Sequence, residues 1–64
     1  MTIVVRENEC AVVRFTKHEL VILNNSIGES LEALEDWEYP TRVGGEKNEA
    51  RELLSEIGKL IDAF

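Results

Sequence analysis

The chain of 64 residues has one cysteine, one histidine, one proline and no apolar run longer than four residues. A single cysteine cannot form an internal disulfide, so we expect a reducing, cytoplasmic setting. The short apolar runs exclude a transmembrane helix. One histidine and one cysteine are too few for the common zinc and transition-metal ligand sets, and we predict no metal, no cofactor and no catalytic residue.

Positive charge is also scarce, because 13 acidic residues stand against seven Lys and Arg and leave a net charge of -6. Direct binding of DNA, RNA or an anionic membrane requires a basic surface, which this composition does not supply. The imbalance is local: residues 26–40, SIGESLEALEDWEYP, contain five carboxylates and no Lys, Arg or His. These five are Glu29, Glu32, Glu35, Asp36 and Glu38.

Two β-branched segments at the start of the chain, Thr2–Arg6 and Cys10–Phe15, predict a β-hairpin with a short polar connection. Side chains alternate between the two faces of a strand. Strict alternation would place Ile3 and Val5 on one face. The opposite face would then carry Val4, Cys10 and Val12.

A first helix is predicted from Lys17 to about Asp36. Thr16 and Glu19 have the spacing of a capping box, in which each residue bonds the backbone N–H of the other. The apolar positions that follow at three- and four-residue steps are Leu20, Leu23, Ile27, Leu31 and Leu34. These positions stay in phase across Gly28 and favour one continuous helix. The alternative is a break at Gly28, because an interior glycine costs about 1 kcal/mol relative to alanine.

Pro40 is expected to end the first helix, since the residue before a proline disfavours the helical conformation. A connection through Gly44 and Gly45 follows, and from Glu46 a second amphipathic helix of about 18 residues is predicted. The predicted fold is therefore α+β, a single small domain over residues 1–64. In this ββαα arrangement, two antiparallel helices pack on one face of the hairpin.

The helical phase places Glu29, Glu32 and Asp36 on the side opposite the buried positions. Like charges at this spacing oppose helix formation, and carboxylates near a helix C-terminus oppose its dipole. Because no cation offsets them, the five carboxylates are predicted to bind a partner protein. Trp37 and Tyr39 are predicted to contribute aromatic anchors. Two alternatives stay open: a merely solvated acidic face, and core packing for Trp37.

In size, in the acidic segment and in the lack of catalytic residues, the chain resembles the small phage-encoded anti-CRISPR proteins that act as DNA mimics. The resemblance implies an inhibitor that blocks the basic nucleic-acid-binding groove of a partner. Immunity proteins that neutralise nuclease toxins are similar for the same electrostatic reason, and they form the second inhibitor class considered.

A different hypothesis starts from the hairpin, whose Val4, Cys10 and Val12 face is more apolar than a solvated face requires. Pairing with a second copy would cover this face and the free strand edges. The protein would then be a structural or regulatory homodimer, and its acidity would serve solubility. An enzyme is the third and least favoured class.

Overall fold

The computed structural model describes all residues, Met1–Phe64, as a β-hairpin followed by three helices. The strands are β1 (Thr2–Arg6) and β2 (Ala11–Arg14), and the helices are α1 (Lys17–Ala33), α2 (Tyr39–Val43) and α3 (Lys47–Asp62). The predicted α+β fold with ββαα order is confirmed, and the short α2 is an addition between the two long helices.

The hairpin is antiparallel, and β1 contains a bulge. Ile3 pairs with Val13, but Val5 rather than Val4 pairs with Val12. The extra residue moves Val5 to the Val12 face, because directly paired residues lie on the same face of a sheet. The predicted strict alternation of β1, with Ile3 and Val5 on one face, is therefore wrong.

The start of α1 confirms the predicted capping box. The Glu19 N–H donates to Thr16 Oγ1 at 3.1 Å, and the Thr16 N–H donates to Glu19 Oε1 at 2.9 Å. The helix then runs through Gly28 without a break. Ser26 does not start a second helix, because its hydroxyl donates to the Ile22 carbonyl within α1 at 2.7 Å.

The end of α1 differs from the prediction. The helix stops at Ala33 instead of Asp36, because Leu34 has an extended backbone with ψ of 143°. Pro40 lies in the first turn of α2, where the missing N–H would have no helical partner in any case. Gly44 ends α2 with φ of 95°, a conformation that favours glycine, and its N–H donates to the Pro40 carbonyl at 2.9 Å.

The two long helices pack side by side in antiparallel orientation. Leu20, near the start of α1, lines a shared hollow with Leu60 and Phe64 at the end of α3. Val13 and Phe15 line the same hollow, so one face of the hairpin meets the helix pair at this end. The remaining strand surface is exposed, including every residue of β1.

The chain buries few residues. Only Leu20, Tyr39 and Ala50 are buried, one from each helix. The molecule measures 35 × 29 × 15 Å along its principal axes. Two helices that pack side by side form one layer, so the pair of α1 and α3 has two broad sides.

Candidate protein-binding site

One broad side of the helix pair carries the carboxylates of α1. Glu29 and Glu32 are exposed in α1 and line a hollow with Asn24, Asn25 and Leu54. Residues three apart on a helix are neighbours, about 5–6 Å between their Cβ atoms. The sequence placed these two carboxylates away from the core, and the structure confirms it. We call this surface, defined by Asn25, Glu29 and Glu32, the acidic side.

Asp36 does not belong to this row, because it lies beyond the end of α1. Its Oδ1 accepts from Lys47 Nζ at 2.9 Å, which joins the turn after α1 to the first residue of α3. The hydrogen bond and charge of Lys47 hold the pKa of Asp36 below its usual value, with a smaller contribution from Arg51. Lys47 Nζ also lies 5.8 Å from the centre of the Tyr39 ring. Asp36 therefore has a structural partner that its sequence neighbours do not reveal.

Glu38 is also paired. Its Oε1 accepts from Arg42 Nε at 2.7 Å, and its Oε2 accepts from the Glu35 backbone N–H at 3.2 Å. The Glu35 carbonyl in turn accepts from the N–H groups of Glu38 and Tyr39. Glu38 thus fixes the turn between α1 and α2.

The predicted row of five carboxylates is therefore divided in two. Asp36 and Glu38 form ion pairs within the chain. The other three are exposed and form none: Glu29, Glu32 and Glu35. The prediction that Asp36 shares the outer side of the helix with Glu29 and Glu32 is wrong, because α1 ends at Ala33.

The two aromatic residues beside the acidic segment have opposite environments. Trp37 is 82% exposed, so the alternative that it packs in the core is wrong. Tyr39 is fully buried, and its hydroxyl lies 2.7 Å from Ser30 Oγ of α1. A buried side chain cannot contact a partner, so the prediction for Tyr39 is also wrong and Trp37 alone is available as an anchor.

The hairpin face predicted for self-association, which consists of Val4, Cys10 and Val12, agrees with the structure only in part. Val4 and Val12 are exposed, but Cys10 lies in the connection and not in β2. The Cys10 thiol donates to Glu7 Oε2 at 3.1 Å, and this hydrogen bond, with slight desolvation, raises the pKa of the thiol. A raised pKa leaves less of the reactive thiolate at neutral pH.

The sequence analysis missed a second set of exposed residues, all apolar: one is on α1, two are on α3 and one is the last residue of the chain. They are Leu23, Leu53, Leu60 and Phe64. The signal for them was present in the sequence: the apolar positions of α3 span a face wider than the single helix α1 can cover.

Two further findings concern metal binding and membrane spanning. No group of three or more His, Cys, Asp or Glu side chains comes together in a way that could hold a metal ion. None of the helices combines the length and the apolar content needed to cross a membrane.

Comparison of the chain with protein-family models, with curated proteins and with solved structures gives no match. The likeness to anti-CRISPR proteins therefore stays a prediction, and the function is inferred below from the residues themselves.

Proposed function

We propose that the protein is a small non-enzymatic inhibitor that acts in the cytoplasm by binding the basic nucleic-acid-binding groove of a partner protein. The observation that carries the proposal is the unpaired charge of Glu29, Glu32 and Glu35. The first two bases that follow them in the chain do not neutralise them, because Arg42 and Lys47 pair with other carboxylates.

These three carboxylates have a cost and no visible benefit for the fold. Glu29 and Glu32 repel each other at a spacing that destabilises a helix by about 0.2–0.5 kcal/mol. Glu32 lies in the last turn of α1, where the helix dipole disfavours negative charge and no basic residue is present. Local rules are most often broken at functional sites, which supports a binding role for these residues.

A row of exposed carboxylates is complementary to a groove that normally holds phosphates. Lys and Arg side chains in such a groove generate a positive potential that attracts closely spaced anions. Helix α1 presents Glu29 and Glu32 one turn apart on a rigid scaffold, and Glu35 follows directly after its end. The site therefore competes with nucleic acid for the groove.

Trp37 supplies the apolar part of the proposed contact. Tryptophan is enriched among the residues that contribute most to protein interfaces, and this one is 82% exposed beside Glu35 and Asp36. It lines a hollow with Thr41 and Arg42, so a partner side chain has a place to pack next to the ring.

The test compares three baits in a pull-down from lysate of the source cells, at low and at physiological salt. The first is the native chain, and the second carries Glu29→Gln, Glu32→Gln and Glu35→Gln. The third is a control with the same change in net charge on exposed positions of α3. Its substitutions are Glu52→Gln, Glu56→Gln and Asp62→Asn.

We expect the native and control baits to retain a nucleic-acid-binding protein and the site variant to lose at least tenfold in affinity. Raising the salt should weaken the native complex, because exposed charges are screened within about 8 Å at physiological ionic strength. Trp37 is the only tryptophan, so its fluorescence reports its burial when the purified partner is added. Equal retention by all three baits, or equal loss from the site and control variants, would contradict the proposal.

The identity of the retained protein separates the two inhibitor classes. A nucleic-acid-guided nuclease complex would support the anti-CRISPR-like function, whereas a toxic nuclease would support the immunity function. Both classes use the same carboxylates, so the control bait is equally informative for each.

A further inference from the structure

Four exposed apolar residues of the helix pair lie together on the side opposite the acidic side, whereas a fifth, Ile22, is seven residues before Glu29 and shares its stripe. Leu53 and Leu60 are seven residues apart on α3 and share one stripe of the helix. Leu53 lines a hollow with the buried Tyr39, whose hydroxyl contacts Ser30 of α1.

Leu23 lies on the same side, because it is seven residues before Ser30 on α1. Phe64 follows Leu60 at a four-residue step, and the two line one hollow. We call this surface the apolar side. It is defined by Leu23, Leu53, Leu60 and Phe64, all of them exposed.

The chain exposes more surface than a folded monomer of its mass. Its accessible surface is 5260 Å², against about 4,200 Å² expected for a monomer of 7.3 kDa. Its radius of gyration is 13.0 Å, whereas a compact chain of this length has about 11 Å. The surplus of about 1,100 Å² is comparable to the area that each partner buries in a standard protein interface, about 800 Å².

The second layer of the fold is incomplete. Domains are stable when two layers of secondary structure enclose a core, and here the hairpin meets the helix pair at one end only, through Val13 and Phe15. A second copy supplies a layer of matching length and matching apolar side, since a two-fold axis brings the same patch of both chains together.

The acidic side does not oppose a second copy in this orientation, and Glu46 and Glu49, which border the hollow that Leu53 lines, lie at the rim of the interface. The unpaired carboxylates Glu29 and Glu32 lie on the acidic side, away from the apolar side. Stacking two apolar sides therefore separates the two acidic sides by more than the thickness of a layer, well beyond the screening distance of about 8 Å.

We propose that the apolar side is a homodimer interface, in which α1 and α3 of two copies form a two-layer, four-helix core. The Val12 face of the hairpin is not part of this interface. Each broad surface of the dimer then presents one acidic side.

The test measures molecular mass by sedimentation equilibrium and light scattering over micromolar to millimolar concentrations of the native chain. We expect twice the chain mass of 7.3 kDa and an unfolding midpoint that rises with concentration. Leu60→Lys should halve the mass. Val12→Lys is the matched control, because Val12 and Leu60 are both 54% exposed, and it should leave the mass unchanged.

Leu53→Lys is a second disrupting variant, and far-UV circular dichroism checks that each variant keeps its helices. The proposal is overturned if the native chain stays monomeric at every concentration and its unfolding midpoint does not depend on concentration. A different molecule would then cover the apolar side. Dissociation by Val12→Lys with retention of the dimer by Leu53→Lys and Leu60→Lys also overturns it, and supports the hairpin as the interface.

Discussion

The two broad sides of the helix pair are built from the same two helices and differ in how favourably water solvates their side chains. The acidic side carries charges that are well solvated and need no protein partner to be stable. The apolar side carries Leu53, Leu60 and Phe64, which water does not solvate favourably. Exposure therefore has two physical consequences in this chain: the carboxylates of the acidic side are stable in water, whereas covering the leucines of the apolar side would lower the free energy.

The largest expected effect comes from removing the support beneath the apolar side. Tyr39→Ala deletes the only fully buried large side chain and should destabilise the fold by about 3–5 kcal/mol. A chain of this length has roughly 3–10 kcal/mol in total, so the variant should be close to unfolded. Urea denaturation measures the change.

Trp37→Ala is the matched control for this prediction, because it removes a larger aromatic ring two residues away. Since Trp37 is 82% exposed, the change should be within about 0.5 kcal/mol. Similar losses of stability from both variants would show that the two aromatics do not differ in role.

Acidification should remove the stability that the paired carboxylates Glu19 and Asp36 contribute. The Met1 ammonium and the Thr16 N–H lower the pKa of Glu19 to about 2, and Lys47 lowers the pKa of Asp36. A carboxyl group with a lowered pKa contributes stability above its unfolded value and loses it as it becomes protonated. The thermal midpoint should therefore fall as the pH decreases from about 4.5 towards 2.

Glu19→Gln and Asp36→Asn should each flatten this pH dependence. An equally steep decrease in the Glu19→Gln variant would mean that the capping box does not control acid stability.

The smallest expected effect is a gain in stability. Glu32→Gln removes a charge that repels Glu29 and opposes the dipole at the end of α1. The free energy of unfolding, measured by thermal denaturation, should therefore rise by a few tenths of a kcal/mol. Glu56→Gln is the control on α3, where Glu52 and Lys59 are neighbours of opposite sign, and it should have almost no effect. Destabilisation by Glu32→Gln would give this carboxylate a structural role and weaken its assignment to a binding site.

Local signals in the sequence were sufficient for most of the fold. The capping box of Thr16 and Glu19 located the start of α1, and the unbroken apolar phase across Gly28 established its continuity. The bulge at Val4 could not be predicted in this way, because it depends on how β1 pairs with β2 and not on β1 alone.

The candidate site was predictable where it depended on helical phase and unpredictable where it depended on tertiary contacts. Glu29 and Glu32 are exposed as the phase required. The pairing of Asp36 with Lys47 joins residues 11 positions apart, and only the turn between α1 and α3 brings them together. The burial of Tyr39 has the same origin, since its hydroxyl reaches back to Ser30.

The bulge at Val4 also bears on how the chain avoids aggregation. A two-stranded hairpin has two unpaired edges, and an exposed edge is a template on which further strands can add without limit. The extra residue in β1 interrupts its regular hydrogen-bonding pattern and increases its twist, so an incoming flat strand finds only a short matching stretch. The irregularity thus makes the exposed valines of the hairpin a poorer template for the addition of other chains.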